Sequence, residues 1–514
     1  MASVVRTNDP LANFDPASLI TDAAECAFYA QDIFSKGPAP LAVFRPSGID
    51  ELASGIGEAT RAGIAIIPRG GGMSYTGGYV ADAPGALIVD LGRMTRIIAI
   101  NETDMTVTVE AGCTWRALYE ALHPKGYRTP VWGPLSGIKA SIGGGMSQNG
   151  LFWGARSSTM APTAISFDVV LADGSIMTTG TDFLRPFGPD ITGLFGADAG
   201  ALGIKAHITL PLVHEGEAFA YGSFAFDAPA DYCAAMSEIG RRGLASEAFG
   251  FDPFLQAQRM KRDSLTADAK QLVGMMTSQG GFWKGLKEGA KVVAAGRSFL
   301  DDATFSIHLV CEGRQQAAVD DDMRRVEAIV AAHGGKIVEN TIPKILRANP
   351  FPPVNSMAGP EGERWAPVHG VVKHGRALAT IEALTALFEA HAEEMERLGV
   401  GAGYMFLLVG ATGFLIEPCF YWPDEQWDIH RRSIEPAHFA KLKGFPANPQ
   451  ARALVENLRM AVVDIFGAMG GVHFQIGRTY PVKGRVDPQA WALLKSVKQQ
   501  VDPKGLMNPG ALGL

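Results

Sequence analysis

Three glycine-rich stretches hold the residues best suited to chemistry. The first, Arg69-Gly70-Gly71-Gly72-Met73-Ser74-Tyr75-Thr76-Gly77-Gly78, follows the apolar run Ile64–Pro68. Successive glycines after a strand let several main-chain N–H groups converge, and such a concavity binds phosphate oxygens without needing a cationic side chain. A pyrophosphate suits it; the alternative is a glycine-rich turn that binds nothing. It is not a Walker loop, because no Gly-Lys-Ser/Thr follows, and Tyr75 stands where the Rossmann spacing needs its third glycine. The second stretch runs Ser141-Ile142-Gly143-Gly144-Gly145-Met146-Ser147-Gln148-Asn149-Gly150. Two such clusters suit a long, two-phosphate ligand lying across the backbone, with Ser147, Gln148 and Asn149 as donors to a ring or ribose. The third, Phe195 to Ile204, strings small residues up to Gly203 and Ile204. It reads equally as a backbone-to-ligand contact or as a packed turn.

The elements that must position these stretches alternate densely. Asp50–Gly63 has helical apolar spacing, Ile64–Pro68 is a short buried strand, and Leu87–Leu91, Ile97–Ile100 and Thr106–Val109 read as further strands. Thr114 caps a helix through Leu122. Ile165–Leu171 and Ser175–Thr179 flank Ala172-Asp173-Gly174, a hairpin signal. From Val213 the pattern changes: Phe219–Phe226 and Thr304–Val310 are expected strands, Ala318–His333, Ala377–Leu398 and Gln450–Met469 expected helices. Pro343–Pro367 reads as a long connection, and the tail from Gly470 as short glycine- and proline-punctuated pieces. The class expected is α+β.

Composition narrows the partners. The 514 residues carry 46 Lys plus Arg against 53 Asp plus Glu, a formal charge of −7 that gives no footprint for nucleic acid. Hydrophobic residues at 47% with 19% charged exclude a disordered chain. Five cysteines are scattered singly without metal-ligand spacing, which fits a reducing compartment. Met1–Pro10 is followed by no apolar leader region, so a cytoplasmic protein is expected. The uncharged run Leu398–Ile416 approaches the length of a bilayer span, but its glycines favour two buried strands around a turn.

The motifs in their order are specific together. Arg69-Gly-Gly-Gly72 through Thr76-Gly-Gly78, Asp90-Leu-Gly-Arg-Met-Thr-Arg-Ile97, Val109-Glu-Ala-Gly112, Ser141-Ile-Gly-Gly-Gly145, Val170-Leu-Ala-Asp-Gly174 and Gly196-Ala-Asp-Ala-Gly-Ala-Leu-Gly-Ile204 follow one another. This series resembles the FAD-binding domain of the vanillyl-alcohol oxidase/p-cresol methylhydroxylase superfamily, and Asp502-Pro-Lys-Gly-Leu-Met-Asn-Pro-Gly510 resembles its C-terminal end. The resemblance implies a two-part FAD-binding domain, residues 1–213 and the return 466–514, interrupted by an α+β substrate-binding cap at 214–465. It implies cofactor contacts from Arg69, Gly70, Gly71, Gly72, Met73, Ser74, Thr76 and Gly77. Ser141, Ile142, Gly144, Gly145, Ser147, Asn149, Gly203, Ile204 and Asn508 complete the implied set. Counting back from Pro367, the position of a covalent flavin attachment falls on Gly362, so noncovalent FAD is expected.

Two branches of the superfamily are near. The hydroxy-acid branch carries a metal site rich in imidazole, but here Val409–Pro418 has none and Phe474 replaces a histidine, so no metal is expected. The phenol-oxidising branch is resembled by Gly477-Arg478-Thr479-Tyr480. Its implied function is hydride removal from a benzylic or allylic carbon of a 4-hydroxyphenyl, lignin-type substrate, through a quinone-methide-like intermediate. The alternatives are an FAD-dependent D-2-hydroxy-acid dehydrogenase and a non-catalytic flavin-binding partner protein. On the phenolic reading Arg478 holds a phenolate or carboxylate and Tyr480 a phenolic oxygen. His369 and His473 lie in the segments the resemblance brings over the flavin, each a general base or a histidine bonded to a carbonyl. The aromatic cluster around Tyr404 and Tyr421, with Glu417, is the candidate substrate wall, though core packing is its ordinary use. The implied partners are an aromatic small molecule, O2 or a redox partner as electron acceptor, and a second copy in a homodimer, with no nucleic acid and no membrane span.

Overall fold

Short apolar runs alternating with capped helices build the unit that contains all three glycine-rich stretches. The computed structural model describes residues 10–260 and 304–514; the stretch through Asp9, read for a leader, lies outside them. The chain divides into two compact units. One comprises Met1–Leu151, Thr159–His214 and Phe474–Leu514, the other Phe152–Ser158 and Glu215–His473. Both mix helices and sheets, and the fold is α+β.

In the first unit a four-stranded sheet orders Leu19–Ile20, Ala42–Phe44, Leu87–Asp90 and Ile66–Arg69, its last two pairings parallel. Parallel neighbours need helical crossovers. Ile49–Arg61 is one, burying Leu52, Ile56 and Ala59 on a single stripe. A five-stranded antiparallel sheet orders Ile97–Asn101, Thr106–Glu110, Ile204–Pro211, Ser166–Val170 and Ile176–Thr178. The last two form the expected hairpin. Thr114 caps Trp115–Leu122, its side chain accepting from Ala117 N at 3.1 Å.

In the second unit an antiparallel eight-stranded sheet is built on the long pair Gly401–Val409 and Gly413–Trp422. These are the two strands expected of the uncharged run, and no helix among the described residues is long and apolar enough to cross a membrane.

Four expectations are corrected. Ala377–Leu398 is two helices, Ala377–Ala390 and Ala392–Leu398. His391 breaks it, because its ring Nδ1 takes the Leu387 carbonyl at 2.9 Å. Pro343–Pro367 is not plain connection: Pro343 sits in the first turn of helix Thr341–Ala348, where a missing N–H costs nothing, and Arg364–Pro367 is a strand. The tail contains a helix, Pro488–Val501, capped by Asp487. The triple glycine 143–145 lies inside the helix Ile142–Gln148. Close packing requires it, since a Cβ on Gly143 would stand 2.6 Å from the Ala111 methyl.

Two buried ammonium groups bind the third glycine stretch. Lys205 Nζ meets Asp198 Oδ1 at 2.5 Å and the Phe195 carbonyl at 2.8 Å. Lys498 Nζ reaches the Ala201 and Met507 carbonyls, both at 2.7 Å, and Asp502 at 2.6 Å. Breaking a buried pair from one side leaves an uncompensated charge, so Asp198→Ala is expected to cost about 3–5 kcal/mol. Urea unfolding measures it; a loss under about 1 kcal/mol would show that Lys205 is not held by this pair.

Candidate functional site

The parallel strand Ile66–Arg69 ends at Arg69, whose carbonyl still accepts from Leu91 N at 3.0 Å. Beyond it the ladder stops. The amides from Gly70 to Ser74 donate to no acceptor among the described residues. Main-chain donors are ordinarily paired or solvated, so this run marks a surface built for something else to bind. The loop is pressed against Lys139, where a Cβ on Gly71 would collide with the carbonyl oxygen.

These residues line a cleft partly open to solvent. Of the expected cofactor residues, Arg69, Gly70, Gly71, Gly72, Met73, Ser74, Ser141, Gly144, Gly145, Ser147, Gly203 and Ile204 lie on its wall. Sequence reasoning missed three other wall residues: Pro134, Ser136 and Gln475. Nothing in their spacing marks them, because only the folded chain brings them here. Gln148 is also on the wall, its Oε1 buried without a partner among the described residues. Lys139 adds positive potential, and burial, then the charge of Arg69, push its pKa down.

Five of the expected contacts lie off this wall. Ile142 is buried in its helix. Asn149 ends that helix in a left-handed conformation, its Oδ1 accepting from Ala161 N at 3.0 Å. Thr76 turns its hydroxyl to Ser74 Oγ at 3.0 Å, and Gly77 N donates to Asp32 at 2.7 Å. Asn508, fully buried, gives both amide hydrogens away, to Gly78 O at 2.8 Å and Ala199 O at 2.6 Å. The second glycine stretch offers no amide cradle either. Ile142 N and Gly143 N donate to the Cys113 and Ala111 carbonyls, and Gly144 N and Gly145 N to Ser141. The run of successive unpaired amides on this wall, among the described residues, is therefore Gly70–Ser74.

Arg478, expected to hold substrate, is bonded within the protein. Its Nε meets Asp82 at 3.0 Å and its Nη1 the Gly77 carbonyl at 2.6 Å. Nη2 meets Asn508 Oδ1 at 2.8 Å and the Pro509 carbonyl at 2.7 Å. With four of its five donors engaged it ties the tail to the first loop. Tyr480 is buried in the same unit.

In the second unit, Val371 and Val472 exchange main-chain hydrogen bonds, which brings His473 beside His369. His473 Nδ1 lies 2.7 Å from the His369 carbonyl. A carbonyl only accepts, so Nδ1 carries a proton, and in the neutral ring Nε2 carries the lone pair. His369 is fully buried, and its pKa lies well below 6.5 through desolvation first, then the charges of His473 and Arg459. Arg459, 3% exposed on helix Pro449–Ala468, is a site candidate the sequence did not reveal.

The candidate substrate wall divides. Strand register pairs Tyr404 with Pro418, Met405 with Glu417 and Gly401 with Tyr421. Glu417 and Tyr421 therefore share one face and Tyr404 takes the other. Tyr404 packs on Phe388 and bonds Thr385 at 3.3 Å, which makes it a core residue.

Comparison with known proteins agrees with this geometry. Residues 40–180 match the model of the FAD binding domain, and residues 446–512 that of the C-terminal domain of FAD linked oxidases. The fold is shared with p-cresol methylhydroxylase, at TM-score 0.73 and 16% identity over 98% of this chain and 95% of that one. It is also shared with 4-ethylphenol oxidase from Gulosibacter chungangensis, at TM-score 0.68 and 17% identity over the same shares. The chain thus carries an FAD-binding domain and the C-terminal domain of FAD linked oxidases, on a fold shared with p-cresol methylhydroxylase, and its cofactor is FAD.

Among curated relatives it is similar to glycolate oxidase subunit GlcD of Bacillus subtilis, 31% identical over 180 residues, 35% of this chain and 38% of that one. It is also similar to D-2-hydroxyglutarate dehydrogenase of Xanthomonas citri pv. viticola, 29% identical over 197 residues, 38% and 41% of the two chains. The chain thus spans about two fifths of these relatives' length. The residues present fit FAD: the amides and Arg69 complement a diphosphate, and Gln148 Oε1 complements a ring N–H.

Asn508→Ala leaves two buried carbonyls without donors, about 1–3 kcal/mol each, and frees both loops. FAD affinity is expected to fall roughly tenfold or more, read by flavin fluorescence titration. His369 supplies a pH dependence. Below 6.5 the unfolded chain binds a proton that the folded one refuses, so acidification favours unfolding. Between pH 6.5 and the folded pKa this site costs about 1.4 kcal/mol per unit. The His369→Gln variant should therefore lose less stability than wild type between pH 7 and 5.5, measured by urea unfolding.

Proposed function

We propose that this protein is an FAD-dependent dehydrogenase or oxidase of a small 2-hydroxy acid. This replaces the phenolic reading as the leading one. A phenolate needs a clamp, and Arg478, its expected cation, is engaged by Asp82, Asn508 and two carbonyls. The curated relatives bear the names of glycolate and D-2-hydroxyglutarate enzymes, which supports the hydroxy-acid class.

The single observation that carries the proposal is the His473 to His369 carbonyl bond beside a buried arginine. His473, its tautomer held by that bond, accepts the hydroxyl proton at Nε2. Arg459, buried and close enough for its charge to act on His369, supplies positive potential for the substrate carboxylate. FAD, held without a covalent bond, supplies the acceptor for the hydride leaving the hydroxyl-bearing carbon. His369, buried and neutral, is a positioning residue for His473. The second unit is on this reading the substrate-binding cap.

The test is anaerobic bleaching of the yellow protein by glycolate, D-lactate and D-2-hydroxyglutarate against 4-hydroxybenzylic alcohols. Hydroxy acids are expected to reduce the flavin, and His473→Ala to slow that reduction by about 100-fold or more while flavin stays bound. Bleaching by the phenols alone would restore the phenolic reading, and bleaching by neither class would favour a non-catalytic flavin carrier.

A further inference from the structure

Arg69 is 6% exposed, yet among the described residues its guanidinium makes no hydrogen bond, and its Nε is sealed from solvent. It folds back beneath its own loop, where a Cβ on Gly72 would stand 2.6 Å from Nη2. Three rings surround it: its Cζ lies 4.5 Å from the Tyr29 centroid, 5.0 Å from Phe28 and 5.4 Å from Tyr79. The carboxylates around those rings are committed elsewhere. Asp90 accepts from the Tyr29 hydroxyl, Arg45 Nε and Gly92 N. Asp32 accepts from Gly77, Phe34 and Ser35 amides.

Ring faces attract a cation but compensate only part of its lost hydration. The protein thus holds, among the described residues, a cation with no salt-bridge partner beside five successive unpaired amides. A run of donors beside an unpaired cation is matched by an anion.

We propose that Arg69 is the ionic counterpart of the cofactor's diphosphate, and that its unpaired charge destabilises the flavin-free protein. This rests on the FAD reading of the cleft. Affinity and flavin-free stability are then opposed at this one side chain. Removing the charge strengthens the empty fold and weakens binding of any nucleoside diphosphate, while a ligand without phosphate is indifferent to it.

The experiment uses the full-length protein stripped of flavin, as wild type, Arg69→Met and Arg69→Lys, titrated calorimetrically with FAD, ADP and adenosine and melted without ligand. For Arg69→Met the expected result is at least tenfold weaker binding of FAD and ADP, unchanged adenosine binding, and a higher melting temperature than stripped wild type. Arg69→Lys should recover much of the ADP affinity. Equal ADP affinity in Arg69→Met, or a lowered melting temperature of its stripped form, would overturn the proposal. If Arg69→Met does not fold, ADP binding by wild type that is insensitive to salt overturns it, and steep salt dependence with recovery in Arg69→Lys supports it. Wild type that takes up neither FAD nor ADP would instead refute the FAD reading of the cleft.

Discussion

Unpaired N–H groups at the end of one parallel strand are the constraint around which the first unit is organised. A strand inside a sheet satisfies its amides by pairing, and when Ile66–Arg69 runs out of partner at Asp90 the next amides have none. Left loose, such a loop would solvate its donors or fold them onto its own carbonyls. Here it is pressed on the Lys139 carbonyl from one side and carries a boxed cation on the other, so the donors stay presented. Pre-organisation of this kind costs stability in the empty protein and returns it on binding.

The rest of the unit keeps that loop in place with buried polar bolts. Asn508 and Arg478 tie the C-terminal tail to Gly77 and Gly78, and Asn508 reaches Ala199 in the third stretch as well. Lys498 joins the tail to the same stretch through the Ala201 carbonyl. A chain that leaves for some 260 residues and then returns must rebuild register with its own beginning, and hydrophobic packing alone does not specify register. Directional bonds to named carbonyls do. This explains why the tail is dense in groups that resemble ligand contacts: they recognise the protein's own backbone.

Much of the fold was legible because its signals are local. Strand lengths, the Thr114 cap and the Asp173-Gly174 hairpin each depend on neighbours a few residues away. The helix Pro488–Val501 escaped notice because it buries almost nothing fully beyond Lys498, so no apolar stripe announces it. The Gly143–Gly145 run misled for the opposite reason. Glycine serves both positive φ and close approach, and only Ala111, over thirty residues away, decides between them. In the site, glycine-loop membership was readable, whereas the aromatic box on Arg69 and the placing of Arg459 beside His369 join distant residues with no shared pattern.

The same distinction governs the choice of substrate class. Arg478 occupies a sequence position that suggests a phenolate ligand, yet position does not tell whether a guanidinium has donors to spare. Four oxygens already accept from it, and moving it onto a substrate would strand Asn508 Oδ1 and two carbonyls. That penalty, repeated at each turnover, argues against a mobile role. The histidine pair obeys the reverse logic. The bond from His473 Nδ1 to a carbonyl occupies one ring nitrogen, and on the proposed reading the other is the proton acceptor. A buried arginine next to a neutral, desolvated imidazole matches an anionic substrate that carries its own hydroxyl proton to be taken. A 2-hydroxy acid has both parts, while a neutral phenol brings no charge for Arg459 to meet until it has been deprotonated.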